Sequence, residues 1–147
     1  MKRWDLTIDA DIENLSKIAE FLEEVLGECG FPGEVLFNVQ LAVDEACSNT
    51  ILYGYPDGGG TIEIACEVDD AAIRIVIADG GVPFDPLSAP EPDIEADIAD
   101  RQIGGLGVYF IRTVMDEVAY KYTGGKNILS LKKYAHCDEV EMPGRTS

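Results

Sequence analysis

Three short segments of this 147-residue chain carry residue types that could bind a ligand. The first is Asp79-Gly80-Gly81, which directly follows the apolar run Arg74-Ile75-Val76-Ile77-Ala78. Such a run is typical of a buried strand, and a carboxylate at its end is well placed to accept hydrogen bonds from a bound group. The glycines permit close approaches that a side chain would forbid. By itself, however, this segment is more typical of a simple turn.

The second candidate is one face of a helix predicted over residues 33–52. At about 100° per residue, a core-facing stripe is formed by Leu36, Val39, Val43, Ala46, Cys47 and Thr50. Asn38, Glu45 and Asn49 fall on the opposite side, with Glu45 and Asn49 one turn apart. A carboxylate and an amide oxygen at that spacing can share a metal such as Mg²⁺, which prefers oxygen ligands. The alternative is an ordinary solvated helix face.

The third candidate is Gly104-Gly105-Leu106-Gly107, at the start of a helix predicted to run from Leu106 to about Met115. Backbone amides at a helix N-terminus favour phosphate, and glycines let it approach closely. A flexible loop-to-helix turn is the alternative. Without a lysine in the Gly-Lys-Ser/Thr arrangement the segment is not a P-loop, and it does not follow the first strand as a Rossmann fingerprint would.

The elements that position these segments follow from apolar spacing and turn residues. A strand over residues 4–8 leads, with Asp9 or Asp11 as cap, to a helix over residues 12–26 that Gly27 and Gly30 end. A long loop is predicted over the proline-rich residues 83–102. Four further strands are predicted over residues 61–68, 71–78, 117–122 and 127–134. This order indicates an α+β fold: a two-layer sandwich whose mostly antiparallel, mixed sheet has helices on one face.

Length and composition indicate one globular domain over residues 1–135, followed by a polar tail over residues 136–147. No apolar run approaches the roughly 20 residues of a membrane span, and no signal core follows the N-terminus. We therefore expect a cytoplasmic protein without membrane contact. Four scattered cysteines and a single histidine argue against zinc and for buried, reduced thiols.

The formal net charge of −17 excludes direct binding to a nucleic-acid backbone as a plausible activity. It favours basic partners, although solubility alone could explain it. Acidic residues are concentrated in the first helix and between Glu91 and Asp100. Because basic side chains are few, we expect an anionic ligand to bind through backbone amides, helix N-termini or a cation.

Together the three segments resemble the GHKL-type (Bergerat) ATP-binding domain, in order and in spacing. The resemblance is greatest to its small stand-alone branch, the anti-sigma factor serine/threonine kinases. That branch's pattern E-A-x-x-N-x-I-x-x-G-Y is similar to Glu45-Ala46, Asn49, Ile51 and Gly54-Tyr55. The segment that begins at Gly105-Leu106-Gly107-Val108 and ends at Met115-Asp116-Glu117-Val118 also resembles it. The resemblance covers roughly residues 5–134.

The resemblance implies ATP and Mg²⁺ as cofactors and assigns a role to each site residue. Asn49 would ligate magnesium, and Glu45 would be the general base for an attacking hydroxyl. Asp79 would accept a hydrogen bond from the adenine amino group, Gly81 would pack near the ring, and Ser130 would add a further adenine contact. Residues 86–103 would form a lid, and the phosphates would be bound by Gly104, Gly105, Leu106 and Gly107.

The same resemblance implies an anti-sigma factor with kinase activity toward a small antagonist protein. Its partners would be a sigma factor and that antagonist, and the branch's common dimeric state makes a homodimer an expectation. Leu52 stands where histidine kinases and topoisomerases commonly carry a basic residue, and Pro83 replaces a glycine, as happens in this branch. The alternative function is a non-catalytic nucleotide-binding module that acts by protein contact.

Overall fold

The structure is a computed structural model and describes residues 1–85 and 111–135. Within those residues the chain forms five strands and two long helices, in the order β1 (Lys2–Asp9), α1 (Leu15–Glu28), α2 (Gly33–Asn49), β2 (Thr61–Val68), β3 (Ala72–Asp79), β4 (Glu117–Thr123) and β5 (Lys126–Tyr134). Residues 111–114 are helical, in the part of the predicted third helix that is described. Most of the predicted loop, the Gly104–Gly107 segment and the tail lie outside the described residues.

The five strands form one sheet in the order β1-β2-β3-β5-β4. Each described pairing is antiparallel, so the mixed character expected of the sheet does not appear among these strands. The central strand is β3, in which Ile77 lies opposite Ile64 of β2 and Leu129 of β5. The α+β class predicted from the order of elements is confirmed.

One face of the sheet packs against both helices and forms the core. The strands contribute alternate residues to it, including Ile62 and Ile64 of β2 and Ile75 and Ile77 of β3, all nearly inaccessible to solvent. Leu22 of α1 joins them, together with further apolar side chains of both helices: Ile18, Leu26, Val39 and Val43. Burying one such aliphatic side chain stabilises the fold by about 1.5–3 kcal/mol. The opposite face carries charged residues, including Arg3, Glu63 and Arg74.

Local signals in the sequence explain where the helices begin and end. Asp11, one of the two predicted caps, accepts a hydrogen bond at 2.9 Å from the Glu13 amide, at the start of the short 3-10 helix Ile12–Asn14 that leads into α1. Gly30 follows α1 at φ 78°, a conformation that favours glycine, and its amide donates to the Gly27 carbonyl at 3.0 Å.

The second helix changes its hydrogen-bond pattern before it ends. Residues Thr50–Gly54 form a π-helical turn, and the Tyr55 amide donates to the Thr50 carbonyl at 3.2 Å. Single π turns inside or after α-helices occur frequently at functional sites. The turn brings Gly54 and Tyr55 next to the end of β3. Among the described residues no helix is long and apolar enough to cross a membrane.

Candidate functional site

Asp79 is a buried carboxylate at the end of the central strand, with 7% of its surface exposed. It borders a pocket between the sheet and α2, whose wall is completed by Ala46, Asn49, Thr50, Gly54, Ile77, Phe84, Tyr120, Asn127 and Leu129. Its Oδ1 accepts hydrogen bonds from the Gly81 amide at 2.9 Å and from Asn127 Nδ2 at 3.0 Å. Among the described residues its Oδ2 accepts one hydrogen bond, a long one of 3.4 Å from the Thr50 hydroxyl. The turn expected from the sequence is therefore also a pocket wall.

The segment after Asp79 is held in place by backbone contacts with the end of the π turn. The Val82 amide donates to the Gly54 carbonyl at 2.8 Å. A Cβ atom at Gly81 would lie 2.4 Å from that same carbonyl oxygen, so only glycine fits there. The hydroxyl of Tyr55 accepts from the Gly80 amide at 2.7 Å and donates to the Thr61 carbonyl at 2.9 Å. These contacts fix the distance between α2 and β3 at the pocket.

Asn49 lies at the C-terminal end of α2 and lines the same pocket. The sequence placed it on the face opposite the core, yet only 8% of its surface is exposed, because the pocket flank of the helix is covered. Its Nδ2 is buried and finds no hydrogen-bond partner among the described residues. An unsatisfied buried amide costs about 1–3 kcal/mol, which a bound polar ligand would recover. The solvated-face alternative therefore does not hold for Asn49.

Glu45 lies one helical turn before Asn49 and is half-buried. Partial burial raises the pKa of its carboxyl, and the negative charge of the neighbouring Asp44 raises it further. A raised pKa makes a carboxylate a better proton acceptor, as a general base requires. The structure thus places a basic carboxylate and an available amide on adjacent turns of one helix.

The structure does not bring every predicted residue to this pocket. Ser130 points away from it, because strand residues alternate between faces and Leu129 of β5 occupies the pocket side. The predicted contact between Ser130 and a base in this pocket is therefore wrong. The β5 residues that line the pocket are Asn127 and Leu129. The segment Gly104-Gly105-Leu106-Gly107 lies outside the described residues, and its phosphate-binding role stays a prediction.

The residues missed by the sequence analysis are Asn127, Tyr120 and Phe84. Asn127 is 6% exposed, and its side chain bonds to Asp79 and to the backbone after it. The signal that could have identified it is the period of two in β5, where Leu129 and Leu131 face the core and thereby orient Asn127 the same way. Tyr120 and Phe84 complete the pocket.

The donor set fits a nucleotide better than a free metal ion. In the part of the chain that the structure describes, no three acidic, cysteine or histidine side chains converge to hold a metal. A rotation of the Asn49 amide by 180° exchanges its oxygen and nitrogen, so the same position can offer an oxygen ligand. One amide oxygen suits Mg²⁺ only where phosphate and water complete its coordination. The orphaned amide of Asn49 is therefore consistent with a metal that arrives with a phosphate ligand.

Comparison with known proteins identifies what kind of pocket this is. Residues 8–133 match the histidine kinase-like ATPase domain family. The chain belongs to this family. For a histidine kinase-like ATPase domain, the ligand expected between α2 and the end of β3 is ATP. The fold and the ATP-binding class suggested by the three sequence segments are thus confirmed.

Curated relatives of this histidine kinase-like ATPase domain carry the name serine-protein kinase RsbW. The chain is 28% identical over 144 residues to the protein of Bacillus thuringiensis (strain Al Hakam), covering 95% of this chain and 89% of the relative. It is 27% identical over 146 residues to the protein of Halalkalibacterium halodurans, with 93% and 86% covered. The similarity therefore extends over nearly the whole of both chains.

Solved structures share the fold. The RsbU and RsbW domains of a Mycobacterium tuberculosis protein align with a TM-score of 0.67 at 18% identity, over 92% of this chain and 33% of that chain. A blue-light activated histidine kinase of Erythrobacter litoralis aligns with a TM-score of 0.54 at 16% identity, over 88% and 42%. The present chain thus spans about a third to two fifths of these larger proteins.

Proposed function

We propose that this chain is an ATP- and Mg²⁺-dependent serine/threonine protein kinase that phosphorylates an anti-sigma factor antagonist and also binds a sigma factor. The observation that carries the proposal is the pocket itself: a buried Asp79 on one wall faces an unsatisfied Asn49 amide on the other. Glu45 lies one turn before Asn49 on the same helix. The names of the curated relatives support the kinase activity, and the sequence motifs of the anti-sigma branch support the partners.

Each residue has a distinct part in the proposed reaction. Asp79 accepts a hydrogen bond from the amino group of adenine and so holds the nucleotide by its base. Glu45 accepts the proton of a serine or threonine hydroxyl. The hydroxyl oxygen forms a bond to the γ-phosphorus of ATP, and the bond between that phosphorus and the oxygen that leaves with ADP breaks. Asn49 would hold Mg²⁺, which would neutralise part of the charge of the phosphates. Residues 86–103 and Gly104–Gly107 are proposed to cover and bind those phosphates.

The test of the catalytic assignment is a Glu45→Gln variant. It preserves the size of the side chain and one acceptor oxygen, but the amide that replaces the carboxylate cannot take the proton. We expect phosphate transfer to the antagonist to fall by about 100-fold or more, while ATP affinity changes by less than about threefold. Transfer is measured with labelled ATP and affinity by calorimetry. The matched control is Glu34→Gln, an exposed carboxylate in the first turn of α2, which should keep full activity.

The raised pKa of Glu45 gives this assignment a pH signature. The carboxylate must be deprotonated to accept a proton, so turnover should fall as pH decreases through its raised pKa, at a higher pH than for an ordinary glutamate. Asp44→Asn removes a neighbouring negative charge that contributes to the shift, so its acid limb should move to lower pH. An unchanged acid limb in that variant would argue that another group titrates.

The transfer assay with labelled ATP also distinguishes a kinase from the non-catalytic alternative. ATP binding without transfer to any antagonist by the wild-type protein would support a nucleotide-binding module that acts by contact. Full transfer by Glu45→Gln would instead remove Glu45 as the base. The first and cheapest measurement is thermal unfolding with Mg-ATP, because a ligand that binds only the folded state raises the midpoint.

A further inference from the structure

Asn127 is a buried polar residue to which the proposed reaction assigns no step. Its Nδ2 donates to Asp79 Oδ1 at 3.0 Å and to the Val82 carbonyl at 3.0 Å, with the Gly81 carbonyl at 3.4 Å. Its Oδ1 accepts from the Phe84 amide at 3.0 Å and from the Tyr120 hydroxyl. One side chain thus binds Asp79, three residues of the segment that follows it, and the neighbouring strand β4.

These contacts use the whole hydrogen-bonding capacity of the amide. A primary amide has two N–H donors and an oxygen with two lone pairs. Both hydrogens and both lone pairs of Asn127 have protein partners in the structure. Asn127 therefore has nothing left with which to contact a nucleotide, although it lines the pocket, and any effect it has on a ligand acts through its neighbours.

The neighbour that matters is Asp79, because Asn127 determines which of its oxygens is available. Asn127 Nδ2 and the Gly81 amide both donate to Oδ1, so Oδ2 is the oxygen left to accept other hydrogen bonds. Within residues 1–85 and 111–135, Oδ2 receives one contact, the long 3.4 Å hydrogen bond from the Thr50 hydroxyl. A carboxylate oxygen with spare lone pairs accepts a hydrogen bond from an amino group, but it repels a carbonyl oxygen at the same position.

We propose that Asn127 is a positioning residue that sets base selectivity by locking the Asp79 carboxylate with Oδ2 toward the bound base. The pocket then selects a purine with an amino group at position 6 over one with an oxygen there. The inference rests on the proposed function only in taking a purine nucleotide as the ligand. It needs no catalytic step, so it can be tested by binding alone.

The test compares ADP with inosine diphosphate, which differ in the group at position 6. The wild-type protein should prefer ADP, and Asn127→Ala should reduce that preference by about tenfold or more, since a charge-assisted hydrogen bond to a fixed carboxylate is lost. Dissociation constants are measured by calorimetry. In the kinase assay the same variant should raise KM for ATP, with kcat changed by less than about threefold.

Two further variants keep the test decisive. Tyr120→Phe removes only the hydroxyl that donates to Asn127, and should reduce the preference by a smaller factor of about two to five at nearly wild-type stability. If Asn127→Ala does not fold, the Tyr120→Phe variant alone tests the proposal. The matched control is Asn14→Ala, which deletes a 2.9 Å bond from an asparagine amide to the Asp9 carbonyl outside the pocket. That control should leave the preference unchanged.

The outcomes are distinguishable. A loss of stability in Asn127→Ala with a wild-type ADP preference would show that the residue is only structural, and would overturn the inference while the proposed function stood. An unchanged preference in a folded Tyr120→Phe protein, with Asn127→Ala unfolded, would overturn it as well. If the wild-type protein bound neither nucleotide, the proposed function would fail first and the inference with it.

Discussion

At the scale of single residues, the pocket depends on a backbone-to-backbone contact between Gly54 and Gly81. A Cβ added at Gly81 would lie 2.4 Å from the carbonyl oxygen, 2.7 Å from the carbonyl carbon and 2.9 Å from the Cα of Gly54. These are main-chain atoms of a hydrogen-bonded turn and cannot rotate away as a side chain could. Glycine is therefore required at position 81 because a side chain would collide with the Gly54 backbone, and not because the backbone adopts an unusual φ.

This contact leads to a prediction for Gly81→Ala. The methyl group must separate Gly54 from Gly81, so we expect a loss of about 1–3 kcal/mol in the free energy of unfolding and a weaker affinity for ADP. The matched control is Gly27→Ala in α1, where a Cβ meets nothing within 4 Å. That variant should gain about 0.4–1 kcal/mol. Urea unfolding and calorimetry measure both effects, and an unaffected Gly81→Ala would show that the two segments can separate at no cost.

How far residues could be predicted from the sequence differs between Asp79 and Asn127. Asp79 has local signals, because an apolar run ends at an acid followed by glycines. Asn127 has only the alternation of β5, which predicts the face that it occupies but not its partners. Asp79 and Phe84 lie more than 40 residues away in the chain, and the paired register of β3 and β5 brings them to Asn127. For Asn49, helical spacing identified the residue but not its burial, which depends on the neighbouring strand ends.

At the scale of elements, the β2–β3 hairpin shows how one side chain fixes a turn. Asp69 accepts hydrogen bonds from the amides of Ala71 at 2.8 Å and Ala72 at 2.9 Å, and from Arg74 Nη1 at 2.9 Å. The Ala71 amide, the Arg74 guanidinium and the Ala72 amide together lower the pKa of Asp69 to about 2. The turn places β2 and β3 in the register that brings Asp79 opposite Ile62.

The lowered pKa predicts how the stability of the hairpin depends on pH. A carboxyl with a pKa lowered by folding stabilises the folded state above its ordinary pKa, near 4. This contribution decreases as pH falls below about 4 and is lost as pH falls through about 2, where the folded carboxyl becomes protonated. Asp69→Asn should therefore show a smaller fall of the urea midpoint over that range than the wild type. Asp70→Asn, an exposed neighbour in the same turn, should retain the wild-type fall.

Most elements were predictable because each has a local origin. The amphipathic period predicted α1 and α2. The turn residues Asp69-Asp70 and Thr123-Gly124-Gly125-Lys126 predicted the two hairpins. Two features were not predictable. The π turn Thr50–Gly54 replaces the last turn of the predicted helix, and its Gly54 carbonyl accepts a hydrogen bond from the distant Val82 amide. The sheet order also places β5 between β3 and β4, which depends on connections of many residues.

At the scale of the whole molecule, the core encloses the three cysteines that the structure describes. Cys29, Cys47 and Cys66 are each at most 2% exposed. Burial raises the pKa of the Cys47 thiol well above its ordinary range and that of Cys66 to about 12. At pH 8 the thiolate fraction of such a group is on the order of 1 in 10,000, so its reactivity is low.

This burial predicts the labelling of the protein by thiol reagents. Cys137 lies outside the described residues, so the experiment uses Cys137→Ser. At pH 8 the folded variant should react negligibly over minutes, and three thiols should react once it is unfolded in denaturant. A colorimetric thiol assay counts both. Rapid labelling of the folded variant would contradict a core that closes over these side chains, and ATP should then be tested for protection.

The central position of β3 has a consequence for the energetics of ligand recognition. Hydrogen-bonded neighbours flank β3 on both sides, so the pocket wall that ends in Asp79 forms when the sheet folds. Nucleotide binding therefore does not have to order this wall and loses no conformational entropy there. Recognition is thereby linked to the integrity of the sheet. A substitution that disturbs the packing of β3, at the pocket-lining Ile77 for instance, can lower nucleotide affinity by displacing the strand end. Affinity for ADP thus becomes a sensitive reporter of how well the centre of the sheet is packed.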